Sequence, residues 1–222
     1  MKTIQLLAAA RSSPLSKAQV KEIQNALLLH HPEIEILTTY LETVGDRDQT
    51  TSLRSLDKTD FFTKEIDLLL QEKKARIGIH SAKDLPDPLA AGLTTVALTT
   101  GLTGADALVI RPGYLFEALP SGSIIATSSM RREETVKKLR PDLRFVDIRG
   151  TIEQRLAKLT SQEVDGVVIA EAALLRLAFH HLNRIILPGA TVAGQGQLAV
   201  VARADDHEMK VIFSCLDCRI HR

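Results

Sequence analysis

Two apolar patterns alternate along the chain. Short, nearly continuous apolar runs such as 4–10, 77–80 and 166–170 are separated by longer stretches whose apolar residues return every three or four positions. The first pattern marks strands and the second amphipathic helices. The spacing predicts strands over 4–10, 34–41, 77–80, 95–98, 107–110, 123–126, 143–148, 166–170 and 197–203, and helices over 14–29, 61–72, 131–139, 152–159 and 172–179. Strands alternating with crossover helices give an α/β fold with a largely parallel sheet. Glycines and small polar residues break the pattern at Thr99-Thr100-Gly101-Leu102-Thr103-Gly104 and again from Pro188-Gly189 to Gly194-Gln195-Gly196. Both read as hinges, so two lobes are expected.

Composition narrows the function classes. A chain of 222 residues that is 45% hydrophobic buries a core as one large or two small domains. Lys and Arg number 28 against 27 Asp and Glu, a net charge of +1, which gives no chain-wide attraction to nucleic acid or an anionic membrane. With Cys215 and Cys218 as the only cysteines there is no disulfide framework, and a reducing cytoplasm is the expected compartment. The opening residues have the look of a short secretory signal, but Gln5 interrupts the apolar run and Arg11 ends it, so a buried first strand is expected instead. No apolar stretch reaches the length of a membrane span.

The candidate chemistry lies where predicted strands run into helices. Ala10 leads to Arg11-Ser12-Ser13-Pro14, Ala126 to Thr127-Ser128-Ser129-Met130-Arg131-Arg132, and Ile148 to Arg149-Gly150-Thr151 with Arg155 one turn further on. In parallel sheets ligands bind beyond the carboxyl ends of strands, where helix N-termini and arginine forks suit anions. One such junction is ordinarily a helix cap beside a surface arginine; their recurrence implies a polyanionic ligand. The nucleotide motifs G-x-x-x-x-G-K-[ST] and G-x-G-x-x-G are absent. At a fourth strand end, Ile79 leads to His80-Ser81-Ala82-Lys83-Asp84-Leu85-Pro86, and Asp84 is the one acid expected at these four mouths. A carboxylate there either stabilises a developing cation and passes a proton or pairs with Lys83. His30-His31 and His180-His181 sit at predicted helix ends, and Cys215-Leu216-Asp217-Cys218 is a lone C-x-x-C. No metal site is expected from either, and the two cysteines are taken as ordinary helix residues.

These junctions resemble the motifs of the porphobilinogen deaminase (hydroxymethylbilane synthase) family. The resemblance extends to Thr43-Val44-Gly45-Asp46, Phe62-Thr63-Lys64-Glu65, Arg155-Leu156 with Lys158-Leu159, the run 165–177 and Gly194-Gln195-Gly196, collinear over nearly the whole chain. It implies two lobes with mostly parallel sheets like those of type II periplasmic binding proteins, 1–99 plus 195–222 and 100–194, with the active site in the cleft, normally followed by a small third domain that this chain is expected to lack. It implies head-to-tail condensation of four porphobilinogen molecules to hydroxymethylbilane with release of ammonia, by a cytoplasmic monomer that binds neither nucleic acid nor membrane. It makes Asp84 catalytic, and it assigns Arg11, Ser13, Gln19, Phe62, Ser81, Lys83, Thr127, Ser128, Ser129, Arg131, Arg132, Arg149, Gly150 and Arg155 to substrate and cofactor. The implied cofactor is a dipyrromethane primer, which the family holds by thioether on a cysteine in a Gly-rich loop of the third domain; Cys215 and Cys218 do not match that site. Other departures are Ala105 for an arginine, Thr151 for an asparagine, Val201 for an acid, and a missing proline before Gly194. An active deaminase, a non-catalytic oligopyrrole-binding module and a decayed paralogue all remain open readings.

Overall fold

The strands form where the apolar runs stand. A computed structural model describes residues 3–52, 54 and 59–220, with strands β1 (Ile4–Arg11), β2 (Ile34–Leu41), β3 (Ile77–Ser81), β4 (Leu93–Leu98), β5 (Asp106–Ile110), β6 (Ile124–Ala126), β7 (Arg144–Val146), β8 (Gly166–Ala170), β9 (Arg184–Leu187) and β10 (Leu198–Arg203). The helices are α1 (Pro14–Leu28), α2 (Val44–Arg47), α3 (Lys64–Gln71), α4 (Met130–Leu139), α5 (Ile152–Thr160), α6 (Glu171–Arg176) and α7 (His207–Phe213). The chain divides into two units, Met1–Asp48 with Lys58–Leu102 and Gly196–Arg222, and Gln49–Asp57 with Thr103–Gln195. The two later changes of unit therefore fall inside the glycine-interrupted stretches. The excursion of 49–57 into the second unit has no signal in the apolar pattern.

The first unit holds a five-stranded sheet in the order β2-β1-β3-β10-β4. β1 pairs in parallel with β2 and β3, while β10 is antiparallel to both β3 and β4, so β10 alone runs backwards. On one face α1 brings Val20, Ile23 and Leu27, a helical spacing, against Leu6, Ala8, Ile77 and Ile79, with Met209 and Phe213 of α7 beside them. On the other face Ile66 and Leu70 of α3 pack on Ala9 and Val201.

The second unit repeats this logic with the order β7-β6-β8-β5-β9. β6 is parallel to β7 and β8, and β5 is antiparallel to β8 and β9, so here β5 is the reversed strand. Its core joins Leu108, Ile110, Ile125 and Val168 to Val136 of α4 and to Phe116.

The structure departs from the expected elements in several places. The predicted helix 61–72 is a 3-10 turn, Asp60–Phe62, followed by α3. The strand expected over 143–148 is paired only over Arg144–Val146. The helix expected to reach 179 stops at Arg176, and Ala178 takes a φ of 57°. Three elements lie outside the sequence expectation: β9, a four-residue edge strand, and the short helices α2 and α7. Cys215 stands on a 3-10 turn, Ser214–Leu216, and Cys218 beyond it, so neither is an α-helix residue.

Leu108 is 0% exposed at the centre of the second core. Leu108→Ala is expected to cost about 2–5 kcal/mol by leaving a cavity, read as a lower denaturant midpoint at unchanged slope.

Candidate active site

In the first unit the site grows from the carboxyl ends of β1, β2 and β3. Arg11 is the last residue of β1, and Ser13 caps α1 by accepting from the Ser16 amide at 3.2 Å, ahead of Pro14 in the first turn. The Arg11 guanidinium donates through Nε to Asp46 Oδ1 and Oδ2 at 3.2 and 3.1 Å and through Nη2 to Oδ1. It also lies 4.5 Å over the Phe62 ring. Gly45 makes that stacking possible, because a Cβ there would meet Phe62 Cε1 at 2.3 Å and Phe61 Cδ1 at 2.8 Å. Burial opposes the charge on Asp46, but hydrogen bonds and charge from Arg11, with further bonds from Thr43, hold its carboxyl below the usual range.

At the end of β3, Ser81 accepts from Gln19 Nε2 at 2.8 Å, a bond that fixes α1 to the neighbouring strand. Lys83 and Asp84 follow on a 3-10 turn, both half-buried. Among the described residues none hydrogen-bonds or ion-pairs with the Asp84 carboxylate, so a structural Lys83 pair does not account for it. His80 points into the sheet packing, 5% exposed, with no hydrogen-bond partner on Nε2 among the described residues. A pocket of about 440 Å³ in the same unit is lined by Asp60, Lys64, Asp67, Pro86 and Asp87 among others, and by none of the expected site residues.

In the second unit the carboxyl ends of β6 and β7 do the same work. Thr127 is 1% exposed, and its hydroxyl accepts from the Ser129 amide at 3.3 Å, so it shapes the turn. Ser128 Oγ donates to the Ile148 carbonyl and accepts from the Ile148 amide at 3.3 Å, which joins the β6 junction to the one carrying Arg149. Ser129 caps α4. Gly150 has a φ of 100°, where a side chain is strained and would meet Gln154 Oε1 at 2.6 Å. Thr151 and Gln154 then form a reciprocal cap on α5, and Arg155 Nε donates back to the Gly150 carbonyl at 2.9 Å.

Arg131 and Arg132 converge on Asp106. Arg131 Nη2 reaches Oδ2 at 2.6 Å, and Arg132 reaches Oδ1 through Nε at 2.9 Å and Nη2 at 2.7 Å. Gln195 Nε2 donates to the same Oδ1 at 2.9 Å and to the Gly104 carbonyl at 2.7 Å. Burial alone would raise the Asp106 carboxyl, but the charge and hydrogen bonds of Arg132 and Arg131 prevail and lower it.

Asp46 and Asp106 are further acids, placed at strand ends outside the four junctions where Asp84 is the one acid expected. Both are reachable in hindsight: Asp46 follows the end of parallel β2, and Asp106 begins a reversed strand whose start lies opposite Ala170 at the end of β8. Arg54 was also missed. It ion-pairs with buried Glu133 at 2.9 Å and donates to the Thr127 carbonyl at 2.9 Å, and no local motif marks it. Among the described residues no group of three or more His, Cys, Asp or Glu is placed to hold a metal, and no helix is long and apolar enough to cross a membrane.

Residues 6–211 match the family model described as porphobilinogen deaminase, dipyromethane cofactor binding domain. The chain belongs to the porphobilinogen deaminase family. A probable porphobilinogen deaminase of Chlamydia pneumoniae is 39% identical over 210 residues, 95% of this chain and 89% of that protein. The porphobilinogen deaminase of Roseiflexus sp. (strain RS-1) is 35% identical over 215 residues, 96% of this chain and 71% of that protein. Among solved structures, a periplasmic substrate-binding protein of an ABC transporter from Coxiella burnetii aligns over 95% of this chain and 91% of its own, at 12% identity and a TM-score of 0.59. The second substrate-binding domain of a putative amino acid ABC transporter from Streptococcus pneumoniae aligns over the same shares at 13% and 0.57. Together they give this family member the type II periplasmic-binding-protein-like fold.

His80 supplies a pH signature. Burial, and then the charge of Arg11, push its imidazole down to about 4 from 6.5. Between those values the unfolded chain takes up a proton that the folded one refuses, so stability falls as pH drops from 6.5 to 4. The loss is expected to total about 3 kcal/mol, and His80→Asn should show a drop smaller by that amount in denaturant titrations across the window. Equal slopes for the two proteins would remove the assignment.

Proposed function

We propose that the protein joins porphobilinogen units head to tail into a linear tetrapyrrole, releasing one ammonia per unit, as a cytoplasmic monomer acting on the small molecule alone. The observation that carries this reading is Asp84, a half-buried carboxylate with no described partner, on the turn that follows β3 in a unit whose other strand ends present Arg11 and Ser13. An anion binder needs the bases; the unpaired acid calls for chemistry.

Porphobilinogen bears acetate and propionate carboxylates, and guanidinium forks bind such groups in two-point fashion. Arg11 in the first unit, and Arg131, Arg132, Arg149 and Arg155 in the second, take these carboxylates, with Lys83 and Ser129 as further donors. The Arg131 side chain keeps 30% of its surface exposed, so its guanidinium stays within reach of a ligand. When ammonia leaves, the C–N bond breaks and a cationic pyrrole remains; Asp84 accepts the pyrrole N–H and stabilises that charge. As the new C–C bond forms, the displaced ring proton is lost, and Asp84 is the base we assign to receive it. Phe62, stacked on Arg11, keeps that guanidinium in place and closes its apolar side.

The family's dipyrromethane supplies the primer to which units are added. Its carboxylates fit the same arginines. Covalent anchoring does not fit the two thiols: Cys215 Sγ donates to the Ile212 carbonyl at 3.3 Å and burial pushes its pKa up, and Cys218 Sγ accepts from Gln197 Nε2 at 3.6 Å. Cys215 is therefore not set up as a thiolate nucleophile.

Asp84→Asn keeps size and removes charge, so turnover of porphobilinogen should fall at least ~10²–10³-fold while ligand binding changes far less, since the interaction is made chiefly in the transition state. A variant as fast as wild type refutes the catalytic role, and a wild type that binds but never turns over favours the binding-module reading. Arg149→Ala is expected to weaken binding by about 2–5 kcal/mol, checked by calorimetry with porphobilinogen. Intact-mass measurement of the purified protein should show no added dipyrromethane on Cys215 or Cys218 by peptide mapping.

A further inference from the structure

Arg131 and Arg132 are sequence neighbours, and two guanidiniums held side by side repel unless a counter-charge sits between them. Asp106 fills that role at 2% exposure, with both of its oxygens engaged. Oδ2 receives Arg131 Nη2, and Oδ1 receives Arg132 Nε, Arg132 Nη2 and Gln195 Nε2. A carboxylate offers about four lone-pair positions, and four bonds from within the protein, three of them on Oδ1, commit this one chiefly to the two arginines and Gln195.

The two arginines are not equally open. Arg132 keeps 12% of its side-chain surface and spends two donors on Asp106, whereas Arg131 keeps 30% and spends one, with Nη1 making only a long contact of 3.3 Å to the Ala190 carbonyl. Gln195 braces the carboxylate from behind: it donates to the carbonyls of Gly104 and Ala105, at 2.7 and 3.2 Å, as well as to Asp106. The start of β5 is thus locked to the Gly-Gln-Gly segment, and the orientation of the guanidiniums is locked to both.

We propose that Asp106, braced by Gln195, is a positioning residue for the condensation: it fixes Arg131 and Arg132 as a preformed receptor for the carboxylates of porphobilinogen and of the growing oligopyrrole. This rests on the function proposed above. Preformed donors bind without first losing side-chain freedom, so the advantage appears in affinity. Asp106→Asn turns half of the acceptor into a donor facing guanidinium N–H groups and leaves the two positive charges uncompensated.

The test is a cycle of four proteins, wild type, Asp106→Asn, Arg131→Met and the double variant, with porphobilinogen affinity measured by calorimetry and turnover measured alongside. Asp106→Asn should weaken binding and raise KM about 10- to 100-fold, with kcat moved much less, because carboxylate contacts are made in ground and transition states alike. In the Arg131→Met background the same change should cost measurably less than in wild type, the remainder falling on Arg132, which Asp106 also holds. Equal costs in both backgrounds, or a collapse of kcat at unchanged KM, would overturn the proposal. Should Asp106→Asn fail to fold by circular dichroism, Gln195→Met replaces it in the cycle, with the same outcomes read the same way. A second readout needs no substrate: labelling of Arg131 by phenylglyoxal, mapped by mass spectrometry, should rise severalfold in Asp106→Asn, and unchanged labelling overturns the positioning role. A wild type that neither binds nor turns over porphobilinogen, with labelling that still responds, would defeat the proposed function and leave the positioning intact.

Discussion

Guanidinium groups held in place before any ligand arrives need buried negative charge beside them, and the strand ends of each unit are built around that constraint. Asp46 does this for Arg11, and Asp106 for Arg131 with Arg132. Each carboxylate is costly to bury alone, and each is held ionised because the arginines outweigh the desolvation. The arrangement is a balance: enough negative charge to order the forks, with donors still left over for an acidic ligand. Asp84 stands outside this balance, since no described residue neutralises it.

The sheet topology supplies the acids. In each unit one strand runs against the others, β10 in the first and β5 in the second. A reversed strand brings its first residue, rather than its last, to the end of the sheet where parallel neighbours finish. Asp106 is such a first residue. Along the same edge, loops that leave β6 and β7 are tied to each other through the Ser128 hydroxyl, so the arginines of one junction are placed relative to those of the next by a side chain shorter than either.

Much of this was legible in the chain. Apolar runs marked nine of the strands, and the recurrence of arginine after Ala10, Ala126 and Ile148 located the junctions. Legibility failed where the determining contact is non-local. Edge strand β9 has four residues and little burial, too short for a period to show. Thr127 is assigned to the ligand by the resemblance, and its burial and its bond to the Ser129 amide give it a part in the turn that no local pattern shows. Asp46, Asp106 and Gln195 matter through partners 25 to 91 residues away, and no window along the sequence contains both ends of those bonds. Arg54 belongs to a segment that leaves one unit for the other, a path that hydropathy does not record.

Both thiols of the chain stand at the end of one unit, Cys215 on the 3-10 turn after α7 and Cys218 against Gln197, just past the last change of unit. A dye or spin label delivered by maleimide therefore reports on the first unit alone, from beside the strand that enters it. The second unit, without a cysteine of its own, accepts a single introduced thiol as a distance partner once one of the two native thiols is replaced, which makes the chain a ready frame for a two-probe spectroscopic ruler.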